Sequence, residues 1–392
     1  MSPLSLHEFH HELRAHFAEV NSAEVVAHYG ESPAEHAALR DCAGVLDLSF
    51  RSRLCLTGAD RVVFLHGQVT NDVKALAPGR GCYAALISAK GKMQSDVNIH
   101  ALSDELLLDF EPGLGAGVAE RLEKFIVSAD VQIVDAAPHY GLLSVQGPRS
   151  AEVIAALELF GGVPAVRPPH PSPLPLGGGE GGQRPGEGLP SIPEQPFTFT
   201  SVTDATLGQL YLMNQPRTGS RGFDLFVPTP ALGAVADKLI AAARQLGGRA
   251  CGWDALEFAR IEAGIPRFGV DMDENTLPPE AGLDTRAVSY TKGCYIGQEV
   301  LARIRTYGQV AKALRGLRLR DDLPVLPVKG DKVFKDGKEV GSITSAIASP
   351  TFKANLALAY VRREANAHGT ELTLRTTAGE SAARIVELPF RA

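Results

Sequence analysis

Cysteine is scarce in this chain, and what there is lies scattered. The five residues, Cys42, Cys55, Cys82, Cys251 and Cys294, are odd in number and form no C-x-x-C pair. That argues against a disulfide framework and a zinc module, and it fits a reducing compartment. No metal site is expected. Long apolar runs are missing too: none approaches the roughly 18 residues of a membrane-spanning helix. The chain opens with Glu8, Glu12 and Glu19 instead of a basic start and an apolar run. No secretory signal is therefore read, and a cytoplasmic location is expected. Excess charge is also absent. A net charge of -6 over 392 residues implies no general surface for polyanions. Internal repeats are not evident.

What is present reads as ordinary globular protein, with 44% hydrophobic and 21% charged residues and length for two or three domains. Leu6, Phe9, Leu13, Phe17 and Val20 recur at helical steps and predict one amphipathic helix. His7 and His11 lie one turn apart on it; with no carboxylate or cysteine at a matching position they read as a solvated face. Residues 52–136 follow a β-α-β-β-β-α-β order, an α+β unit of ferredoxin-like type. From Gly161 to Pro196, 19 of 36 residues are glycine or proline, which predicts a disordered insert. Strands near 197–202, 208–213 and 223–227 follow, then helices near 232–243 and 253–263. Six strands with glycine turns in residues 311–392 predict a small β-barrel.

The stretch Lys292-Gly293-Cys294-Tyr295-Ile296-Gly297-Gln298-Glu299 stands out. Two glycines permit an exposed bend, and the Lys292 ammonium favours a thiolate at Cys294. The run after Gln298 is open between helix and strand; a helix there adds its N-terminal dipole. Cysteine in a glycine-rich turn is equally read as inert and buried.

That stretch resembles the K-G-C-Y-x-G-Q-E signature of YgfZ-type proteins, a family related to the aminomethyltransferase (T-protein) of the glycine cleavage system. Further stretches resemble T-protein segments in the same order. They are Lys90-Gly91-Lys92 with Asp96, Arg217-Thr218-Gly219 with Gly222-Phe223-Asp224, and Arg260-Ile261-Glu262-Ala263-Gly264-Ile265-Pro266 with Gly269–Glu274 and Pro279–Leu283. The resemblance implies a three-domain ring around a central hole that binds tetrahydrofolate. Residues 1–51 with 137–310 form the folate-binding domain, 52–136 the ferredoxin-like unit, and 311–392 the barrel.

A pterin edge offers N–H donors to a carboxylate, and a glutamyl tail suits arginine. Asp96 and Asp224 are the carboxylate candidates, Arg260 the tail candidate, and Glu262 shares that segment. Taken alone, Asp96 reads as an exposed strand residue, Asp224 as a turn end, and Arg260 as the partner of Glu257. Asp224 stands where the T-protein loop has glutamate.

The implied function is a tetrahydrofolate-binding accessory protein for iron–sulfur cluster assembly or repair. Cys294, Lys292 and Asp96 are its active residues, and iron–sulfur client or assembly proteins, including enzymes that thiolate tRNA, are its partners. A folate-dependent aminomethyltransferase acting through Asp96 is the alternative, and a pure binding scaffold a third reading. Arg303, Arg305, Lys312, Arg315, Arg318 and Arg320 form a basic run, read chiefly as the solvent face of a strand. Tyr307 is its only aromatic residue, which argues against direct RNA contact.

Overall fold

The computed structural model describes residues 3–161 and 189–391. The N-terminal segment departs from its own periodicity. Helix α1 (His7–Glu12) stops early, and Arg14 takes a left-handed φ of 62°. The chain then forms a hairpin, β1 (His16–Val20) and β2 (Ala23–His28), turning through Asn21 and Ser22 at φ 47° and 65°. Two successive left-handed residues make the turn whose twist suits paired strands. Strand pairing overrides the weak local helix preference, so the apolar spacing runs across two elements rather than one.

Helix α2 (Ser32–Asp41) and strand β3 (Gly44–Asp47) lead into the α+β unit. That unit contains β4 (Ser52–Thr57), α3 (Arg61–Gln68), β5 (Arg80–Ile87), β6 (Met93–Ala101), β7 (Leu106–Phe110), α4 (Gly115–Glu123) and β8 (Gln132–Asp135). Its antiparallel sheet is ordered β5-β6-β7-β4-β8, a ferredoxin-like sandwich with one more strand at the edge. A second sheet draws on β9 (Tyr140–Gln146), with α5 (Ser150–Ala155) following it. It continues with β10 (Phe199–Asp204), β11 (Gly208–Asn214), β12 (Gly222–Pro228), α6 (Leu232–Gln245) and β13 (Arg249–Ala250). Its order is β10-β11-β12-β9-β3-β13.

The expected insert at 161–196 falls mostly outside the described residues. Its last part does not: Ser191 bridges to Gly161, and Ile192 is buried in the core.

Alternation along the strands sets up the layers. In β6, Val97 and Ile99 pack with α3 and α4 through Phe64, Leu65, Val118 and Leu122. Asp96, Asn98 and His100 therefore point to the opposite face. In β12, Phe223, Leu225 and Val227 pack under α5 and α6. Asp224 and Phe226 point the other way. The two sheets meet on these inner faces, where Leu107, Leu142, Met213 and Phe226 form a shared core and the His100 ring packs edge-on to Phe199 and Phe226. The layer is unusually polar, because Arg53, Asn98, His100, Asp109, Ser144, Gln146 and Asp224 are all buried in it.

Helices α7 (Trp253–Glu262) and α8 (Gln298–Tyr307) complete the central part. Helix, not strand, is thus the outcome after Gln298, and Gly297 starts it at φ 81°. Arg303 and Arg305 sit on that helix, while Lys312, Arg315 and Arg318 lie on a barrel strand. The basic run is therefore split between two elements instead of facing out from one strand.

All six expected C-terminal strands form. They are β14 (Lys312–Leu319), β15 (Lys332–Lys335), β16 (Lys338–Ser349), β17 (Ala354–Arg362), β18 (Glu371–Thr376) and β19 (Gly379–Val386). They close as a barrel ordered β14-β17-β16-β15-β18-β19. Ile261 of α7 packs against Leu314, Ile347, Leu356 and Leu358 on its wall. Among the described residues, no helix is long and apolar enough to cross a membrane.

Candidate functional site

The polar layer between the sheets opens at one end into a cavity of about 130 Å³. Its wall is made by Tyr83 of β5, Asp96 and Asn98 of β6, Glu111 beyond β7, Gln215–Arg217 beyond β11, and Trp253–Arg260 on α7. Arg267 and Arg286 close the far side.

Asp96 is the titratable group best placed there. Tyr83 donates its phenol hydrogen to Asp96 Oδ2 at 2.8 Å, and Oδ1 has no partner. Burial pushes the carboxyl up, Glu111 adds to it, and the result is about 6. A group tuned toward neutrality can hold or release a proton. Gln215 Oε1 on the same wall also has no hydrogen-bond partner among the described residues, while Glu111 Oε2 is held only by an ion pair to Arg267 Nη1 at 3.5 Å. Two unused acceptors and one loosely paired carboxylate oxygen therefore belong to the wall of one small space.

Behind them lies a fixed ionic frame. Arg51 donates to Asp109 at 2.8 Å and to Glu111 at 2.6 Å. Arg217 donates to Asp109 at 2.8 Å and to Asp224 at 2.6 Å. Burial pushes Asp109 up, but Arg51 and Arg217 outweigh it and hold the carboxyl well below the usual range. Asn98 donates to the same carboxylate at 3.0 Å. Deeper still, burial holds the His100 imidazole down at about 4, so it is neutral.

The expected site residues separate into two groups. Asp96 and Arg260 do line one cavity. Arg260, however, has no donor left for a ligand. It bonds Glu257 twice at 2.7 Å, Asp271 at 2.7 Å, Ser345 at 3.1 Å and the Ile265 carbonyl at 3.2 Å. The ion pair with Glu257 thus exists, but buried. Arg286, which sequence reasoning passed over, is the cation that remains available. It is exposed, forms no ion pair among the described residues, and stacks its guanidinium 5.7 Å from the Tyr83 ring.

Asp224 lies outside the lining. Its oxygens accept from Ser144 at 2.7 Å and from Arg217, so it positions Arg217 rather than touching the space. Glu262 is also elsewhere, accepting from His36 at 3.0 Å and Thr351 at 2.9 Å where α7 meets α2 and the barrel.

Cys294 is exposed and stands apart from the cavity that Asp96 lines. Lys292 does not address its sulfur. The buried ammonium donates to the carbonyls of His66 and Val69, and lies 4.7 Å from the Tyr295 ring centre. Burial pushes that ammonium down to about 8. His7 bonds Glu24 at 2.9 Å, and no cluster of three metal-ligating side chains occurs among the described residues.

Tyr83, Glu111, Trp253, Arg267 and Arg286 were not found from the sequence. The lone signal was the alternation of β5, which puts Tyr83 on the face of Asp96 as its diagonal neighbour.

The cavity continues outward. Arg286 also lines a space of about 710 Å³ beside the barrel, and Arg315 and Asn366 join that to a groove of about 880 Å³ along α8. Arg286 thus borders both the cavity at Asp96 and the outer space, and neither it nor Arg315 forms an ion pair among the described residues.

This architecture has known relatives. The GCVT N-terminal domain matches residues 6–160 and 191–292, and the glycine cleavage T-protein C-terminal barrel domain matches residues 312–391. The chain belongs to the glycine cleavage T-protein family. The match is interrupted at the glycine- and proline-rich stretch and stops at Lys292, so Cys294 and α8 fall between its two parts. The aminomethyltransferase of Symbiobacterium thermophilum is 28% identical over 394 residues, covering 98% of this chain and 96% of that one. That of Bacillus subtilis is 26% identical over 369 residues, covering 94% and 92%. Among solved structures, the glycine cleavage system aminomethyltransferase T of Bartonella henselae superposes with a TM-score of 0.83 at 22% identity, over 100% of this chain and 98% of that one.

Proposed function

We propose that this protein binds a reduced folate in the cavity at Asp96 and carries out folate-dependent one-carbon transfer of the aminomethyltransferase type. The observation that carries the proposal is the Asp96 carboxyl: raised to about 6, fixed on one oxygen by Tyr83, unpartnered on the other.

Tetrahydrofolate fits the residues present. Its pterin edge is rich in N–H donors, and Asp96 Oδ1 and Gln215 Oε1 are acceptors that lack donors among the described residues. Tyr83, Phe197 and Trp253 supply ring faces. The enclosed space is small against the roughly 300–1,000 Å³ of a typical ligand site. It suits a bicyclic head, with the tail running outward past Arg286. When bound, tetrahydrofolate supplies nitrogens that accept a one-carbon unit. Asp96 holds or moves a proton at Oδ1, Tyr83 keeps that carboxyl oriented, and Arg286 attracts tail carboxylates. The frame of Arg51, Asp109 and Arg217 keeps the wall from rearranging as charge shifts.

Calorimetry with tetrahydrofolate tests the binding, and turnover of an aminomethylated lipoyl carrier tests the chemistry. Binding by the native chain and loss of turnover in Asp96→Asn are expected. Absence of binding refutes the proposal.

A second reading is supported by Cys294. It is the one exposed cysteine among the five, on the loop that resembles the YgfZ signature. In this reading the protein binds folate but serves iron–sulfur cluster assembly or repair through that thiol, by transient ligation or thiol exchange with a partner. Loss of iron–sulfur enzyme support in cells carrying Cys294→Ala, with folate binding retained, favours it over turnover.

A further inference from the structure

A second cavity lies in the same inter-sheet layer, on the side away from Asp96. It measures about 360 Å³. Arg53, Leu107 and Phe226, all deeply buried, line its inner part. Val134, His139 and Gln209 are exposed at its mouth. Between them the wall carries Leu102, Tyr140 and Tyr211, with Glu105 as its one carboxylate.

Arg53 is anomalous among the buried arginines. Arg51, Arg217 and Arg260 each bond at least one carboxylate. Arg53 is 1% exposed and forms no ion pair among the described residues. Its Nη2 donates to the carbonyls of Ser49, Tyr140 and Ala137 at 3.0, 2.9 and 3.3 Å. Nε and Nη1 have no hydrogen-bond partner among the described residues. A buried charge without a counter-charge is costly, and a buried donor without an acceptor adds to the cost. Alternation explains the placement: Leu54 and Leu56 face the helices, so Arg53, Cys55 and Thr57 face the cavity layer.

We infer that this cavity is a second ligand site, and that it takes a small monocarboxylate with an apolar or aromatic body. The ligand's carboxylate supplies the counter-charge Arg53 lacks, and its body fills the space between Leu102, Leu107, Tyr211 and Phe226. Glu105, which accepts from the Cys55 thiol at 2.9 Å within the same wall, repels a second negative charge. A monocarboxylate is therefore favoured over dicarboxylates and phosphates. The inference stands apart from the folate reading, since no residue lines both cavities.

The test uses the full chain with sodium benzoate as probe and benzamide as its neutral counterpart, followed by calorimetry. Benzoate is expected to bind saturably and benzamide not to. Neither tetrahydrofolate nor Asp96→Asn should alter the benzoate affinity. Arg53→Met, similar in volume and uncharged, should weaken benzoate about tenfold or more. Val134→Trp leaves Arg53 untouched and blocks the mouth, so it should abolish binding even where Arg53→Met fails to fold. No benzoate binding, equal binding of benzamide, displacement by tetrahydrofolate, or full affinity in Val134→Trp each overturns the inference.

Discussion

Replacing Asp96 with asparagine should stabilise the protein, and by an amount that depends on pH. The folded state holds the Asp96 proton more tightly than the unfolded chain, with a pKa of about 6 against an ordinary 3.8. Protonation thus favours folding. The contribution is complete below pH 3.8 and is lost as pH rises through 6. The difference of 6 - 3.8 = 2.2 units converts at about 1.36 kcal/mol per unit into about 3 kcal/mol. Asparagine keeps an acceptor for the Tyr83 hydroxyl and has no proton to lose. Its stability relative to wild type should rise by up to about 3 kcal/mol between pH 4 and pH 8. Urea denaturation of both chains across that range, followed by far-ultraviolet circular dichroism, measures the difference. The chains differ at one side chain, so shared unfolding steps cancel. A difference that stays flat with pH refutes the claim that Asp96 ionises against a burial cost, and with it the proton role proposed for the site.

Removing the positive centre of the ionic frame should have the opposite sign. Arg217→Met leaves Asp224 buried without a counter-charge, and Asp109 with Arg51 alone, and should cost about 3–5 kcal/mol in denaturant unfolding. At Gly297, a Cβ would meet the Ser88 carbonyl at 2.4 Å and φ is 81°, so Gly297→Ala should loosen the start of α8 and speed proteolysis there. Cys294 is the exposed thiol, so native protein should show one fast-reacting equivalent with a thiol reagent, and Cys294→Ala should abolish it while shifting stability by no more than about 0.5 kcal/mol. Arg286→Ala should weaken binding of glutamylated folate more than of the bare pterin, as calorimetry would show, because Arg286 lies beside Tyr83 and forms no ion pair among the described residues.

The sequence was most legible where local rules and tertiary structure agree. Most of the barrel strands are bounded by glycine turns, and each emerged within a few residues of its expected limits. Period-two patterning also placed Asp96 on a hairpin strand of the α+β unit. It failed where one periodicity covered two elements, as from Leu6 to Val20, because Arg14, Asn21 and Ser22 break the helix through backbone angles that residue type does not announce. The site was half legible. A motif marks arginine and carboxylate positions but not their partners. Arg260 is committed to Asp271 and Ser345, residues 11 and 85 positions away, and such long-range pairing leaves no local trace. Arg286 sits in an irregular loop with no periodicity at all, so its place beside Tyr83 follows from the fold alone.

The Arg260–Asp271 pair also ties two distant parts of the molecule together. Asp271 Oδ1 accepts from Thr344 and Ser345 on barrel strand β16, at 2.6 and 2.7 Å, while its other oxygen holds Arg260 on the cavity wall. The carboxylate of Asp271 thus links the C-terminal barrel to the wall of the cavity at Asp96. Occupancy of that chamber should slow amide exchange in β16, and a change as slight as Thr344→Val should be felt by a ligand that never touches the barrel.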